Sequence, residues 1–235
     1  EPETDKHTYQ RIVGRLIYLT ATRPDISYAV NIVSRFMQNP RVPHMNAVTR
    51  ILRYIKGTLG QGLWLKKHQS LDIVGFADAD WAGDIVDRKS TSGYCIFVGG
   101  NLTGWKSKKQ RVISKSSAEA EYRAMADCVS ELTWTKMLLG ELGCNINIPS
   151  NMFCDNTAAI YIASNPVFHE RTKHIEIDCH FIREKIVAGE IKTPHTQSCD
   201  EVVDALTKGV SKPKLNNFKF KWECLDIHSP LEGEC

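Results

Sequence analysis

The sequence predicts an α/β protein with a mixed sheet flanked by helices and preceded by a small helical region. Three observations carry that prediction. Before Gly62 apolar residues recur at helical spacing in three successive stretches, from Gly62 the period shifts towards two, and beyond Ser116 helix-like and strand-like segments alternate. With 235 residues, 42% of them apolar and 24% charged, the chain can bury one substantial core, or one core with a smaller appendage.

The first helical stretch, Tyr9 to Leu19, carries Ile12, Val13, Leu16, Ile17 and Leu19 and stops before Arg23-Pro24. Asp25 to Met37 repeats the pattern and ends near Asn39-Pro40. His44 to Lys56 forms the third, with Gly57 where a helix stop belongs. The basic residues of this region (Arg11, Arg15, Arg35, Arg50, Arg53, Lys56) suit a solvated helix face or one that tracks phosphates. Gly62–Leu65, Leu71–Ala79, Thr91–Val98 and Leu102–Lys106 then read as an antiparallel meander, with Gly99-Gly100-Asn101 as a hairpin turn. Ser116 caps a long helix to Leu142, with Glu119 completing a capping box. A strand over 151–155, a helix over 157–164, a helix over 172–188 closed by Gly189, a strand over 190–196 and a helix over 200–208, with Ser198 and Glu201 as a second capping box, complete the order.

The strand ending in FADAD does not finish as strands usually do. Val74, Phe76, Asp78 and Asp80 share one face, so a row expected to face the core begins apolar and ends acidic. Carboxylates continuing such a row need a cation or a buried base; otherwise they are turn residues past the sheet edge. Glu121 shares a helix stripe with Met125, Cys128, Leu132 and Leu139, the stripe that should face the sheet, and a lone glutamate there needs a partner. Glu119, on another face, reads as a cap or an ion pair with Arg123. Asp155 stands at a strand's C-terminal end, where ligands gather in open α/β sheets. Asp204, in the last helix, either joins the other acids or pairs with Lys208. Clustered without a cation, four carboxylates would raise one another's pKa. A pair of hard divalent ions, Mg²⁺ or Mn²⁺, would remove that conflict.

A formal charge of +3 is too small to argue for nucleic acid, so an electrostatic case rests on local clustering. Trp105 with Lys106, Lys108, Lys109, Arg111 and Lys115 forms the densest basic group, suited to tracking a nucleic-acid backbone or to a solvated hairpin. Eight cysteines without C-x-x-C pairs read as reduced intracellular thiols. No apolar run approaches a membrane span. The opening Glu1-Pro2-Glu3, with no initiating Met, is expected of a piece of a longer product. His169, His174, Cys179 and His180 lack the usual paired-ligand spacing of zinc sites, and imidazoles packed against the sheet are the simpler expectation.

FADADWAGD with DRKSTSGY, SKSSAEAEYRAM, FCDNTAAI, RTKHIEIDCHFIRE and DEVVDALTKG, in that order, resemble the ribonuclease H domain at the C-terminal end of the copia-type LTR retrotransposon Pol polyprotein, over about Tyr9 to Gly209. The resemblance implies a five-stranded mixed sheet flanked by helices over 62–209 and a helical connection-like region over 1–61; beyond it the match loosens into a basic, aromatic tail over 210–235, for which no role is derived. It implies that Asp78, Glu121, Asp155 and Asp204 are catalytic and hold two Mg²⁺ or Mn²⁺ ions that hydrolyse the RNA strand of an RNA-DNA hybrid endonucleolytically, leaving a 5′-phosphate and a 3′-hydroxyl. His195 stands where that family often carries a histidine assisting product release; a surface histidine without a role is the other reading. The implied partners are the hybrid and the polymerase part of the same polyprotein, and the implied location is the cytoplasm (virus-like particle) or the nucleus. The chain lacks the adjacent Asp-Asp of a reverse-transcriptase palm, so polymerase activity is not expected in it. A catalytically silent hybrid-binding or assembly module is the alternative. An integrase is disfavoured, because its last acid should be a helical glutamate after the second aspartate, and Glu121 precedes Asp155.

Overall fold

The computed structural model describes residues 2–144, 146, 148–164, 176–197 and 202–227. The chain divides into two compact units, Glu1–Leu65 with Gly209–Cys235, and Lys66–Lys208.

The first unit contains the three expected helices. Helix α1, Lys6–Leu19, starts earlier than its apolar pattern because Asp5 caps it, its carboxylate accepting from the backbone N–H of His7 at 3.0 Å and of Thr8 at 3.3 Å. Helix α2, Ser27–Ser34, follows a 3₁₀ turn over Pro24–Ile26, and α3 covers Val42–Lys56 with a proline in its first turn. Their apolar faces bury Tyr9, Val13, Leu16, Ile26, Val30, Val33, Val48 and Ile51 together. Beneath them the Arg23 guanidinium grips Asp25 with two bonds (2.9 and 2.7 Å) and donates to Thr58 O at 3.0 Å, while Tyr54 donates to Asp25 at 2.7 Å. This buried ion pair has the bidentate geometry that offsets desolvation.

Strand β1, Gln61–Leu63, departs from expectation. It does not join the meander but pairs antiparallel with a strand over Cys224–Asp226, which follows a helix over Lys212–Lys221. Over its described residues, 210–227, the segment read as a basic, aromatic tail therefore forms a helix and a strand, and it buries Phe218 and Trp222. A three-residue strand takes its partner from whichever edge is presented to it, which no periodicity records.

In the second unit β2 (Ile73–Asp80), β3 (Thr91–Val98), β4 (Asn101–Lys109), β5 (Ser150–Phe153) and β6 (Ile191–Lys192) form the expected five-stranded mixed sheet, in the order β4-β3-β2-β5-β6. The β2–β3 and β3–β4 pairs are antiparallel, and β2–β5 and β5–β6 parallel. Gly99 and Gly100 turn the β3–β4 hairpin with φ of +54° and +78°, the left-handed values that favour glycine. Helix α4, Ser117–Glu141, lies on one face, its long apolar stripe against β2. A Cβ at Gly75 would stand 2.7 Å from Cys128 Sγ, so the missing side chain is what allows helix and strand to approach. Helices α5 (Thr157–Ser164) and α6 (Glu176–Val187) complete this core with Ala159, Ala163, Cys179 and Ile182. Helix α7 is four residues, Asp204–Thr207, where a helix over 200–208 was expected; residues 200 and 201 lie outside the described residues. The proposed Ser198–Glu201 capping box lies outside the described residues.

The row that ends acidic is not the row facing the main core. Ile73, Gly75, Ala77 and Ala79 face α4; Val74 and Phe76 are half-buried on the opposite face, where Phe76 stacks on Phe153 with ring centroids 5.0 Å apart. Asp78 lies on this second face, and α7 buries it.

Candidate functional site

The site forms where β2 and β5 end. Phe76 lies opposite Phe153 in the parallel pair, so Asp78 and Asp155, each two residues further on, leave adjacent strands at the same level. Asp78 is 4% exposed and accepts a short hydrogen bond from the Thr207 hydroxyl. Thr207 reaches it because β3 carries Gly93 directly opposite Asp78. A Cβ there would stand 2.8 Å from Thr207 Cγ2 and 2.9 Å from Val203 Cγ1. Gly93 thus admits α7 to the sheet, and with α7 comes Asp204, itself buried.

Glu121 arrives from the other face. The Ser116 hydroxyl accepts from Glu119 N–H at 3.2 Å, and the Glu119 carboxylate accepts from Lys115 N–H at 2.8 Å and pairs with Arg123 at 2.9 Å. One helical face away, Glu121 is 6% exposed, and the Cys154 thiol points to its carboxylate at 4.0 Å. The ligand atoms of Glu121, Cys154 and Asp155 lie within 4.8 Å of one another. Gln110 secures this start of α4: its amide donates to Ser92 Oγ (2.8 Å) and Ala120 O (2.9 Å), and its carbonyl accepts from Ser114 (2.8 Å).

Among the described residues, the Lys208 ammonium stands with these acids. Lys208 Nζ is 2.6 Å from Asp204 Oδ1, the pair anticipated from their spacing. Burial pushes the Asp78 carboxyl above the usual aspartate value, and the charges of Asp204 and Asp155 act the same way against Thr207 and Lys208. Burial likewise raises Asp80, opposed by Lys208. For Lys208 itself burial works against the charge, but the Asp204 bond and the charges of Asp78, Asp204 and Asp155 prevail and raise its pKa. The charges of Asp155 and Asp204 reach Asp78, those of all three aspartates reach Lys208, and Glu121 lies beside Asp155. Asp80 stands beside Gly83, where any Cβ would collide with its carboxylate.

His195 is exposed, with Nε2 3.1 Å from the carbonyl oxygen of Asp155, and its backbone bridges to Cys154 beside β5. Of the basic cluster, Lys108, Lys109 and Arg111 meet at one cleft. Lys106 and Lys108 alternate with Trp105 and Lys109 along β4, so the two pairs take opposite faces. Lys106 lies over the Tyr94 ring at 5.6 Å, and Lys109 is committed to Asp84 (2.6 Å) and Asp87 (2.8 Å). Arg111 and Lys115 are exposed in the segment before α4. Lys108, Lys109 and Arg111 line a cleft of about 630 Å³ with Arg123, Asp127 and Phe181. Of the zinc candidates, Cys179 is buried in the core while the His180 side chain is 83% exposed and faces Glu184, so the two diverge and His180 does not pack on the sheet. His169 and His174 lie outside the described residues.

No family model matches the chain. It is 47% identical over 218 residues, 93% of its length, to the retrovirus-related Pol polyprotein from transposon RE1 of Arabidopsis thaliana, and 39% identical over 225 residues, 95% of its length, to that from transposon TNT 1-94 of Nicotiana tabacum. Its homologues are retrovirus-related Pol polyproteins from transposons. The chain spans 15% and 17% of those two Pol polyproteins. Among solved structures, LC11-RNase H1 in complex with RNA/DNA hybrid is similar over 58% of this chain and 94% of its own, at 14% identity and a TM-score of 0.44.

Several residues that build this Pol-related site escaped sequence reasoning. Gly93, Thr207 and Gln110 carry no charge. Gly93 and Thr207 fall in the stretches DRKSTSGY and DEVVDALTKG, but the contacts that give them a role join segments far apart; Thr207 and Asp78 are separated by 129 positions.

Proposed function

We propose that this chain is the ribonuclease H part of a copia-type Pol polyprotein: a metal-dependent endoribonuclease that hydrolyses the RNA strand of RNA-DNA hybrids and works beside the polymerase part. The observation that carries the reading is that Asp78 at the end of β2, Asp155 just past β5 and Asp204 on α7 gather near the Lys208 ammonium, with Glu121 of α4 beside Asp155. A cluster that already holds a positive group, and whose buried Asp78 is costly to ionise, suits hard divalent cations, and its carboxylate donors suit Mg²⁺ or Mn²⁺.

Asp78, Glu121, Asp155 and Asp204 would hold two such ions. Bound there, the ions would lower the pKa of an attacking water and stabilise the departing 3′-oxygen. The protein's own groups do the remaining work. Thr207 orients the Asp78 carboxylate, Cys154 steers Glu121, and the Gln110 bonds keep the first turn of α4 against β3. His195, exposed beside Asp155, stands at the rim of the site, a position that suits a part in product departure. Lys108, Arg111 and Arg123 line a cleft suited to phosphates, with RNA selected through its 2′-hydroxyls.

Cleavage of a labelled RNA-DNA hybrid in Mg²⁺ tests the proposal. Asp78→Asn and Asp155→Asn should each lower the rate by about 100-fold or more while leaving the fold intact by circular dichroism. Equal rates in all three proteins would overturn it, and an inactive wild-type chain that still binds the hybrid would favour the silent binding module.

A further inference from the structure

Lys208 belongs to none of the roles above, yet its charge lies at their centre. The chain leaves α7 in extended conformation at Lys208 (φ −141°, ψ 162°), its N–H bonded to Asp204 O at 3.0 Å, and the side chain folds back to place Nζ 2.6 Å from Asp204 Oδ1. The two members differ in environment: the Asp204 side chain is 7% exposed, the Lys208 side chain 44%. The carboxylate is therefore fixed, whereas the lysine has a solvent route and a long flexible stem. Its charge also acts on Asp78, Asp80 and Asp155.

We infer that Lys208 is a tethered counter-ion of the acidic cluster that competes with divalent metal for it. The inference rests on the metal-holding reading of the four carboxylates. In the metal-free protein the ammonium compensates the clustered negative charge. A divalent ion ligated by Asp204 would meet that ammonium at contact distance, and like charges so close repel. Loading the cluster then requires Lys208 to withdraw into solvent, so the residue sets metal affinity without being a ligand. The tether also prevents the cluster from standing bare when metal is scarce.

Mn²⁺ binding, measured without substrate by electron paramagnetic resonance and by calorimetry, tests this on the full chain. Lys208→Met and Lys208→Gln should each tighten Mn²⁺ binding by roughly fivefold or more, and Lys208→Arg, which keeps the charge, should stay near the wild-type value. In chelator the two neutral variants should melt below wild type, and saturating Mn²⁺ should close that gap, a reversal that a purely structural lysine would not produce. Unchanged or weaker binding in the folded neutral variants, with Asp78→Asn still abolishing binding, overturns the counter-ion role alone. Mn²⁺ bound equally by wild type and Asp78→Asn overturns the metal reading and this inference with it.

Discussion

A buried aspartate is costly unless its charge is met, and Asp78 is met from three directions: by the Thr207 hydroxyl, by the Lys208 ammonium and, in the proposed function, by metal. The residue that makes this possible has no side chain. Gly93→Ala would place a methyl group 2.8 Å from Thr207 Cγ2, 2.9 Å from Val203 Cγ1 and 3.1 Å from Leu206 Cβ, all on or beside α7. The variant should lose about 1–3 kcal/mol in urea denaturation and lose hybrid cleavage disproportionately, because α7 can relieve the overlap only by carrying Asp204 away from Asp78. Retention of both would mean that the close approach of α7 is dispensable. Of the residues concerned, Asp78 and Asp155 stood out at strand ends and Glu121 on a helix stripe, whereas Asp204 was left between joining those acids and pairing with Lys208. Gly93 did not stand out, because nothing local distinguishes a glycine that admits a helix from one that bends a strand.

Helix α4 came out nearly as its pattern indicated, since Ser116, Glu119 and the stripe from Glu121 to Leu132 are consistent local signals. The segment 81–90 between β2 and β3 has no periodic pattern and is held by contacts instead. Trp81 donates to Ser114 O at 3.0 Å, Ala82 N–H donates to the Ser90 hydroxyl, and Lys109 on β4 pairs with Asp84 and Asp87. The Lys109 ammonium, helped by the backbone N–H groups of Val86 and Asp87, holds the Asp84 carboxyl down at about 2, against an ordinary value of 3.8. With the folded-state pKa depressed, the stabilisation is present above pH 3.8 and is lost as pH falls towards about 2. Lys109→Met should remove this acid-side loss, seen as a flatter denaturation midpoint over that window, and should return the Asp84 titration towards its ordinary value by NMR. Because Lys109 is committed to this loop, Lys109→Met should weaken hybrid binding less than Lys108→Met or Arg111→Met. An equal effect would show that the ion pairs open when the hybrid binds.

Across the whole molecule, one unit is built from both ends of the chain. Trp64 N–H donates to Glu223 O at 2.8 Å, Ile227 N–H donates to Gly60 O at 3.0 Å, and β1 finds its only described strand partner in β7 (Cys224–Asp226), after α8 (Lys212–Lys221). Cutting the chain after Lys208 should strip that unit of its small sheet and of buried Phe218 and Trp222. Calorimetry should then show the first unit's transition lowered or absent, whereas an unaltered profile would show that the C-terminal segment contributes nothing to it. What the sequence alone determined is the kind and order of most elements, the mixed sheet and the placing of acids at strand ends and on the α4 stripe, because spacing along a chain reports which side chains share a face. Only the tertiary structure decided that the acidic row of β2 turns away from α4, that α7 closes over it, that β1 joins β7 rather than the meander, and that Lys208 stands among the carboxylates. Each of those depends on contacts between segments distant in sequence, where shape and charge must match in space and local pattern carries no record of the partner.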